Sequence, residues 1–534
     1  MPNILASYVL GKWTSPTDAG RDLVDPSTSE VIVRISSEPL DYRAVLDYAR
    51  QIGGPALREL SFAQRASILK ALGKYLSGHI PAFTELSLRT GATRRDSAVD
   101  VDGGIGVLFV YGSKGAALGD VHTLADGDTD MLGKAGTFGV QHISSPLRGA
   151  AVQINAYNFP VWGMLEKLAP AFLAGVPSVV KPAGQTAFLT EAVVREIIAS
   201  GLLPEGSLQL LCARPDGLLD HLTGQDTLSV TGSHQTATAL RMHPVVAANA
   251  VRYTAEADSV NSSILGPDGV VGTQEFDLFV KTVAIEMTQK TGQKCTAIRR
   301  AFVPTELMDD VEQAIADRLS KVTVGNPTDD SVRMGPVVSS AQRDTVRSAV
   351  ARLEKSTRRI FGDPDRVPEN FSPSADADRG AYLSPILLRA DNPLAPEPHT
   401  IEAFGPVSTL LPYRSIDEAL ELVTLGEGSL VASIVTADAA SAQTAVTALA
   451  PWHGRLLVLS SENSEESTGH GAAIPHGVHG GPGRAGGGEE LGGLRSVYTS
   501  YSAPRSRAHR TFSRACGEQR AGGRGWRWNR GRYL

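Results

Sequence analysis

The sequence predicts an α/β protein built on parallel sheets wound by helices, and three observations carry that prediction. Between Arg148 and Thr254, short apolar runs of β type alternate with helix-length stretches, the pattern of strands joined by helical crossovers. A second alternating block begins near Glu275. With 534 residues, 42% hydrophobic and 20% charged, the chain is too long for one simple core and ordinary for one that buries two or three.

The elements follow in order. The first 120 residues read mostly as helices: 63–76 sets Ile68, Leu69, Leu72 and Leu76 at helical spacing, and 41–52 does so more weakly. Strands are predicted at 150–154, 176–180, 207–212, 227–230 and 251–254, with helices at 162–174, 188–199 and 236–242. A parallel sheet of this kind receives ligands at the carboxyl ends of its strands. In the second block, a helix over 275–290 leads to apolar runs at 297–303, 311–319, 341–353, 381–388, 410–413, 430–435 and 456–459. The stretch 363–380, rich in Pro, Asp and Ser, is a surface loop.

Charge and cysteine content exclude several classes. The net charge is −6, yet residues 503–534 hold nine arginines against one acid, which leaves −14 on the remainder. An acidic body argues against a nucleic-acid enzyme. The tail mixes cations with aromatic rings between Arg524 and Trp528; its composition predicts a disordered extension, with nucleic-acid contact the alternative. No window of about 18 apolar residues spans a membrane, and the N-terminus has no basic start before its short apolar stretch, so no secretory signal is expected. Cys212, Cys295 and Cys516 make neither a disulfide framework nor a zinc spacing. The expected compartment is the cytoplasm, and no metal is expected.

Cys295 is the cysteine with a reactive setting. Lys290, Lys294, Arg299 and Arg300 flank it, and nearby cations favour thiolate; an inert buried thiol is the alternative. Asn158 follows the strand ending at Ile154 and could hold an oxyanion, or simply form a turn. Lys181, before Pro182 and Ala183, could bind ribose or phosphate, or stand solvated at a strand end. Thr231, Gly232 and Ser233 end a strand before a helix, where freed N–H groups suit a pyrophosphate and Ser233 suits a plain cap. Glu256 could be a general base or a solvated loop carboxylate. Glu402 and Phe404 precede a turn and could grip ribose and nicotinamide, or simply serve strand and turn. Gly481 to Gly486 matches G-x-G-x-x-G literally, but it neither follows a strand nor opens a helix, so it is rejected as a cofactor site.

Taken in order, Asn-Phe-Pro, Lys-Pro-Ala, Thr-Gly-Ser, the Glu, the Cys and Glu-x-Phe-Gly-Pro resemble the aldehyde dehydrogenase superfamily from about Val9 to Leu494. The runs 256–261, 292–300, 467–471 and 479–493 resemble more closely the aldehyde dehydrogenase part of the bifunctional ring-opening proteins of phenylacetate degradation, with the benzoyl-CoA-pathway semialdehyde dehydrogenases as close relatives. The resemblance implies a Rossmann-like cofactor domain (1–128 and 148–257), an α/β catalytic domain (258–477), an oligomerisation segment (129–147 and 478–500) and the tail (501–534). It implies Cys295 as nucleophile, Asn158 as oxyanion donor and Glu256 as the base that activates water. Ile154, Lys181, Ala183, Gly184, Thr231, Gly232, Ser233, Glu402 and Phe404 would hold the cofactor, and His470 would either border the substrate channel or be a loop histidine with no such role. Relatives that prefer NAD commonly carry an acid where Gly184 stands, so NADP is the expected cofactor, with NAD possible. The implied substrate is a CoA-linked semialdehyde such as 3-oxo-5,6-dehydrosuberyl-CoA semialdehyde. The alternatives are the dehydroadipyl-CoA homologue, a general aldehyde, or an inactive remnant with a nucleic-acid-binding tail. A homodimer or larger homo-oligomer is implied. The bifunctional proteins continue into a hydratase domain and this chain does not, so hydratase activity is expected to be absent.

Overall fold

The computed structural model describes residues 3–132, 134–135, 138–487, 493–499, 501–504 and 507–509. A seven-stranded sheet runs Arg252–Glu256, Thr227–Thr231, Ala151–Ile154, Ser178–Lys181, Leu208–Leu210, Ser7–Val9, Lys12–Thr14. The first five pair in parallel, and the last two pairings, Leu208–Leu210 with Ser7–Val9 and Ser7–Val9 with Lys12–Thr14, are antiparallel. Chain order reverses between Ala151–Ile154 and Thr227–Thr231, the switch point where doubly wound sheets open a ligand crevice. Adjacent residues show that both faces are covered. Val180 packs among helices Phe62–Ser77, Arg94–Ala116, Trp162–Ala174 and Ala187–Ala199. Val179 packs on the opposite side with Tyr42, Val45, Ala237 and Val246. Alternation across the pleat therefore explains the unbroken apolar runs of these strands.

The second seven-stranded sheet runs Arg358–Phe361, Ile386–Arg389, Val407–Tyr413, Arg300–Pro304, Ser262–Leu265, Ser429–Val435, His453–Leu459. It is parallel except at the Arg358–Phe361 edge. The chain leaves the first sheet at Glu256 and enters the second at Ser262. Carboxyl ends of one sheet and amino ends of the other therefore share a cleft.

Two departures from the sequence reading stand out. Before Asp41 the chain forms strands rather than helices, including the hairpin Arg21–Val24 with Val31–Ile35; strands this short show too little alternation to be read as such. Part of the segment expected to lack structure is also strand. Ser502–Pro504 and Arg507–His509 lie antiparallel along Phe138–Pro146, which pairs on its other side with Leu124–Met131. A backbone ladder needs no particular composition. The expected disordered run over 510–534 lies outside the described residues. Among the described residues, no helix is long and apolar enough to cross a membrane.

Candidate active site

Helix Gln274–Thr288 ends in a turn whose residues Lys290, Thr291 and Gly292 have φ of 52°, 55° and 63°. Two non-glycine residues in the left-handed region are strained, and the surroundings hold them there. The Lys290 N–H donates to Asp96 Oδ1 at 2.8 Å, and Thr291 Oγ1 donates to the Gly335 carbonyl at 2.9 Å. A Cβ at Gly292 would overlap the Gly405 carbonyl, so the turn packs directly on the Glu402–Pro406 run. Arg299 ties the two together, donating to Gly405 O at 2.7 Å and Gly292 O at 2.8 Å. Asn261, which sequence reasoning left without a role, donates to the carbonyls of Cys295 (2.8 Å) and Ala297 (3.0 Å). Asn158 Nδ2 donates to Gln293 O at 3.0 Å, which leaves its second amide hydrogen free for the cavity.

Cys295 is half-buried on this turn and borders a cavity of ≈ 250 Å³. Asn158, Glu256 and His479 share that cavity, whose remaining wall includes Val99, Phe159, Trp162 and Ile285. The four cations expected to activate the sulfur are engaged elsewhere. Lys294 binds Glu286 at 2.8 Å and Gln289 at 2.7 Å, Arg300 binds His399 at 2.8 Å, and the Lys290 ammonium sits over the Phe159 ring. Neighbours along a turn point in different directions, so sequence adjacency misplaced them. Burial, and then the Glu256 carboxylate, push the thiol up to about 12.

The cation that does face the sulfur is His479, which sequence analysis quoted in a motif without assigning a role. Its Nε2 lies 3.2 Å from Glu256 and its Nδ1 lies 3.3 Å from Glu166; Glu166 in turn lies 3.2 Å from the Lys167 ammonium. All four side chains are buried. Burial would neutralise the imidazolium, but Glu256 and Glu166 hold its pKa well above the ordinary histidine range. Burial also pushes the Glu256 carboxyl up, and His479 followed by Lys167 outweigh it, holding the group below the usual carboxylate range. Glu256, Cys295 and His479 offer atoms within 4.8 Å of one another, a spacing that suits proton transfer. His470 is not among the residues that line the cavity. It is buried, it bonds Ser433 Oγ through Nδ1 at 2.9 Å, and it lies behind the cavity wall that Gly469 and Gly471 form. Burial drives its pKa well below the usual range, so it is a neutral core histidine.

The crevice at the switch point lies beside this cavity, and Thr231 borders both. Ile154 and Lys181 close the neighbouring strands. Ser233 caps helix His234–Arg241, accepting from the Thr236 N–H at 3.2 Å. Nothing lies within 4 Å of where a Gly232 Cβ would stand. Thr231 Oγ1 and both side-chain polar atoms of Asn155 are buried without a partner among the described residues, which fits a polar ligand at the strand ends. Phe404 meets Tyr157 edge-on at 6.1 Å, and burial pushes the Glu402 carboxyl up to about 8 against the pull of Arg299. The run 481–486 opens only the 3₁₀ turn Gly483–Ala485.

A doubly wound sheet with a crevice at its strand ends, and a cysteine beside a buried carboxylate in the adjoining cavity, are features of an oxidoreductase. Residues 13–471 match the aldehyde dehydrogenase family, and the chain belongs to it. Over 481 residues it is 44% identical to 3,4-dehydroadipyl-CoA semialdehyde dehydrogenase of Aromatoleum evansii, covering 90% of this chain and 93% of that one. Lactaldehyde dehydrogenase of Escherichia coli shares the fold with a TM-score of 0.81 at 22% identity, over 95% of this chain and 100% of that one. Betaine aldehyde dehydrogenase of Staphylococcus aureus in complex with NAD+ does so at 0.80 and 22%, over 93% of each.

Proposed function

We propose that the protein oxidises a semialdehyde carried on a CoA thioester to the carboxylic acid, with NADP as its preferred oxidant. The observation that carries acid formation is Glu256, a buried carboxylate held below the usual carboxylate range and within 4.8 Å of the Cys295 sulfur. Cys295 releases its proton to solvent and attacks as the thiolate, Sγ forming a bond to the aldehyde carbon as the carbonyl π bond opens. The alkoxide that results lies against the free amide hydrogen of Asn158 and the Cys295 N–H, whose peptide plane Arg299 and the Ala297 N–H hold by donating to the Lys294 carbonyl at 3.3 and 3.2 Å. A nicotinamide dinucleotide, held by Lys181, Thr231, Ser233, Glu402 and Phe404, supplies the hydride acceptor when bound. Glu256 then takes a proton from the water that attacks the Cys295 thioester, and the thiol leaves. An acyl transfer to free CoA would need no such base.

The CoA-linked substrate rests on the name of the Aromatoleum relative. That name favours 3,4-dehydroadipyl-CoA semialdehyde over the 3-oxo-5,6-dehydrosuberyl-CoA compound. We read the strands around Phe138–Pro146 as the arm through which copies associate. The test is cofactor reduction with each CoA-linked semialdehyde and with hexanal. Cys295→Ala should abolish turnover, and Glu256→Gln should give one burst of reduced cofactor and then stall. Equal kcat/KM for hexanal would remove the CoA assignment, and full turnover by Cys295→Ala would remove the mechanism.

A further inference from the structure

The space beside Gly184 is filled by a cation. Gly184 opens the 3₁₀ turn Gly184–Thr186 just beyond the strand Ser178–Lys181. The guanidinium Nη2 of Arg21 occupies the place that a Cβ on Gly184 would take. Arg21 reaches it from the far end of the sequence, on the hairpin strand Arg21–Val24. Its backbone pairs with Ile35, and among the described residues its exposed side chain has no hydrogen bond or ion pair. The acids nearest in sequence are committed elsewhere: Asp22 pairs with Arg34 at 2.7 Å, and Asp18 accepts from the Ser37 N–H at 2.7 Å.

The second charge is Lys181, which is buried and donates to the Pro182 carbonyl at 2.6 Å. After burial, the Arg21 charge adds to what lowers the Lys181 pKa, with the Cys212 thiol acting the other way. Two cations thus converge, neither making an ion pair among the described residues, at the second strand end of a doubly wound sheet, where an adenine dinucleotide places its adenosine ribose. A guanidinium fork matches a phosphate monoester.

We propose that Arg21, together with Lys181, forms the binding site for the 2′-phosphate of NADP, and that Arg21 is the residue that sets the preference over NAD. Gly184 serves this site by being too small to displace the guanidinium, and a carboxylate there would neutralise it. The proposal rests on the NADP reading above, and the experiment separates the two. Binding of adenosine 2′,5′-bisphosphate and of 5′-AMP is measured by calorimetry on wild type, Arg21→Ala and Arg21→Lys, alongside kcat/KM for NADP and NAD. Wild type should bind the bisphosphate more tightly. Arg21→Ala should weaken the bisphosphate about tenfold with little change for 5′-AMP, lower the NADP-to-NAD ratio about tenfold through the KM of NADP, and be partly rescued by Arg21→Lys. A wild type that prefers NAD and binds both probes alike overturns the cofactor reading and this site with it. A wild type that prefers NADP, with an unchanged ratio in Arg21→Ala, overturns the role of Arg21 alone.

Discussion

His479 touches two carboxylates, Glu256 at 3.2 Å and Glu166 at 3.3 Å, so its removal acts on the reaction through pH. With the imidazolium present, Glu256 is held below the ordinary carboxylate range although it is buried. In His479→Gln the desolvation of Glu256 dominates, its pKa rises, and less of it is ionised at a given pH. Deacylation needs the ionised form, so the acidic limb of kcat should move to higher pH by about one unit or more, with activity recovering as pH rises. A kcat profile measured across the acidic range checks this, and a limb that stays in place would show that His479 does not tune Glu256. Cys295, Glu256 and Asn158 were legible because each stands in a local motif at a strand end or turn. His479 was not, since it meets Glu166 across 313 positions of chain and sits in a loop without periodicity. Arg21 was hidden in the same way, with its partner Gly184 far along the chain.

At the scale of elements, the helix Trp162–Ala174 was readable from its apolar pattern to its ends, and the first sheet's parallel strands fell within a residue or two of their predicted positions. The conformation of the turn before Cys295 was not readable, because left-handed Lys290 and Thr291 violate their own preferences. Only tertiary contacts impose it: Asp96 caps its own helix through Thr93 and also accepts from the Lys290 N–H. Gly292 is the residue on which the turn depends. Gly292→Ala puts a Cβ at φ 63° and into the Gly405 carbonyl. The left-handed penalty alone is about 1–2 kcal/mol, and the overlap must be relieved by moving the Cys295 turn away from the Glu402–Pro406 run. The variant should therefore lose about 2 kcal/mol in urea unfolding and also alkylate Cys295 with iodoacetamide at an altered rate. A variant with wild-type stability and alkylation would show that the turn is not held as described.

Across the whole molecule, the two sheets divide their labour by edge. The carboxyl edge of the first sheet, at Ile154, Lys181, Thr231 and Glu256, faces the amino edge of the second, where the Cys295 and Phe404 runs enter Arg300–Pro304 and Val407–Tyr413. The opposite, amino edge of the first sheet carries no site residue and is held by Asp226. That buried carboxylate accepts from the Ala150 N–H at 2.7 Å and the Thr223 N–H at 2.6 Å, and it pairs with Arg50 at 2.6 Å. It thereby fastens the helical segment that contains Arg50 to two adjacent strands. The fold class was legible because apolar runs and helix-length segments alternate along the chain, whereas this clasp joins residues 176 positions apart and leaves no pattern in the sequence. Asp226→Ala removes one partner of a buried pair and strands Arg50 and the freed N–H groups, which should cost about 3 kcal/mol or more in denaturant unfolding. Below the new midpoint, the folded variant should still bind adenosine 2′,5′-bisphosphate as wild type does, because the carboxyl edge keeps its contacts. A loss of that binding in protein still folded by circular dichroism would mean that the two edges are coupled through the sheet, and that the site depends on the clasp.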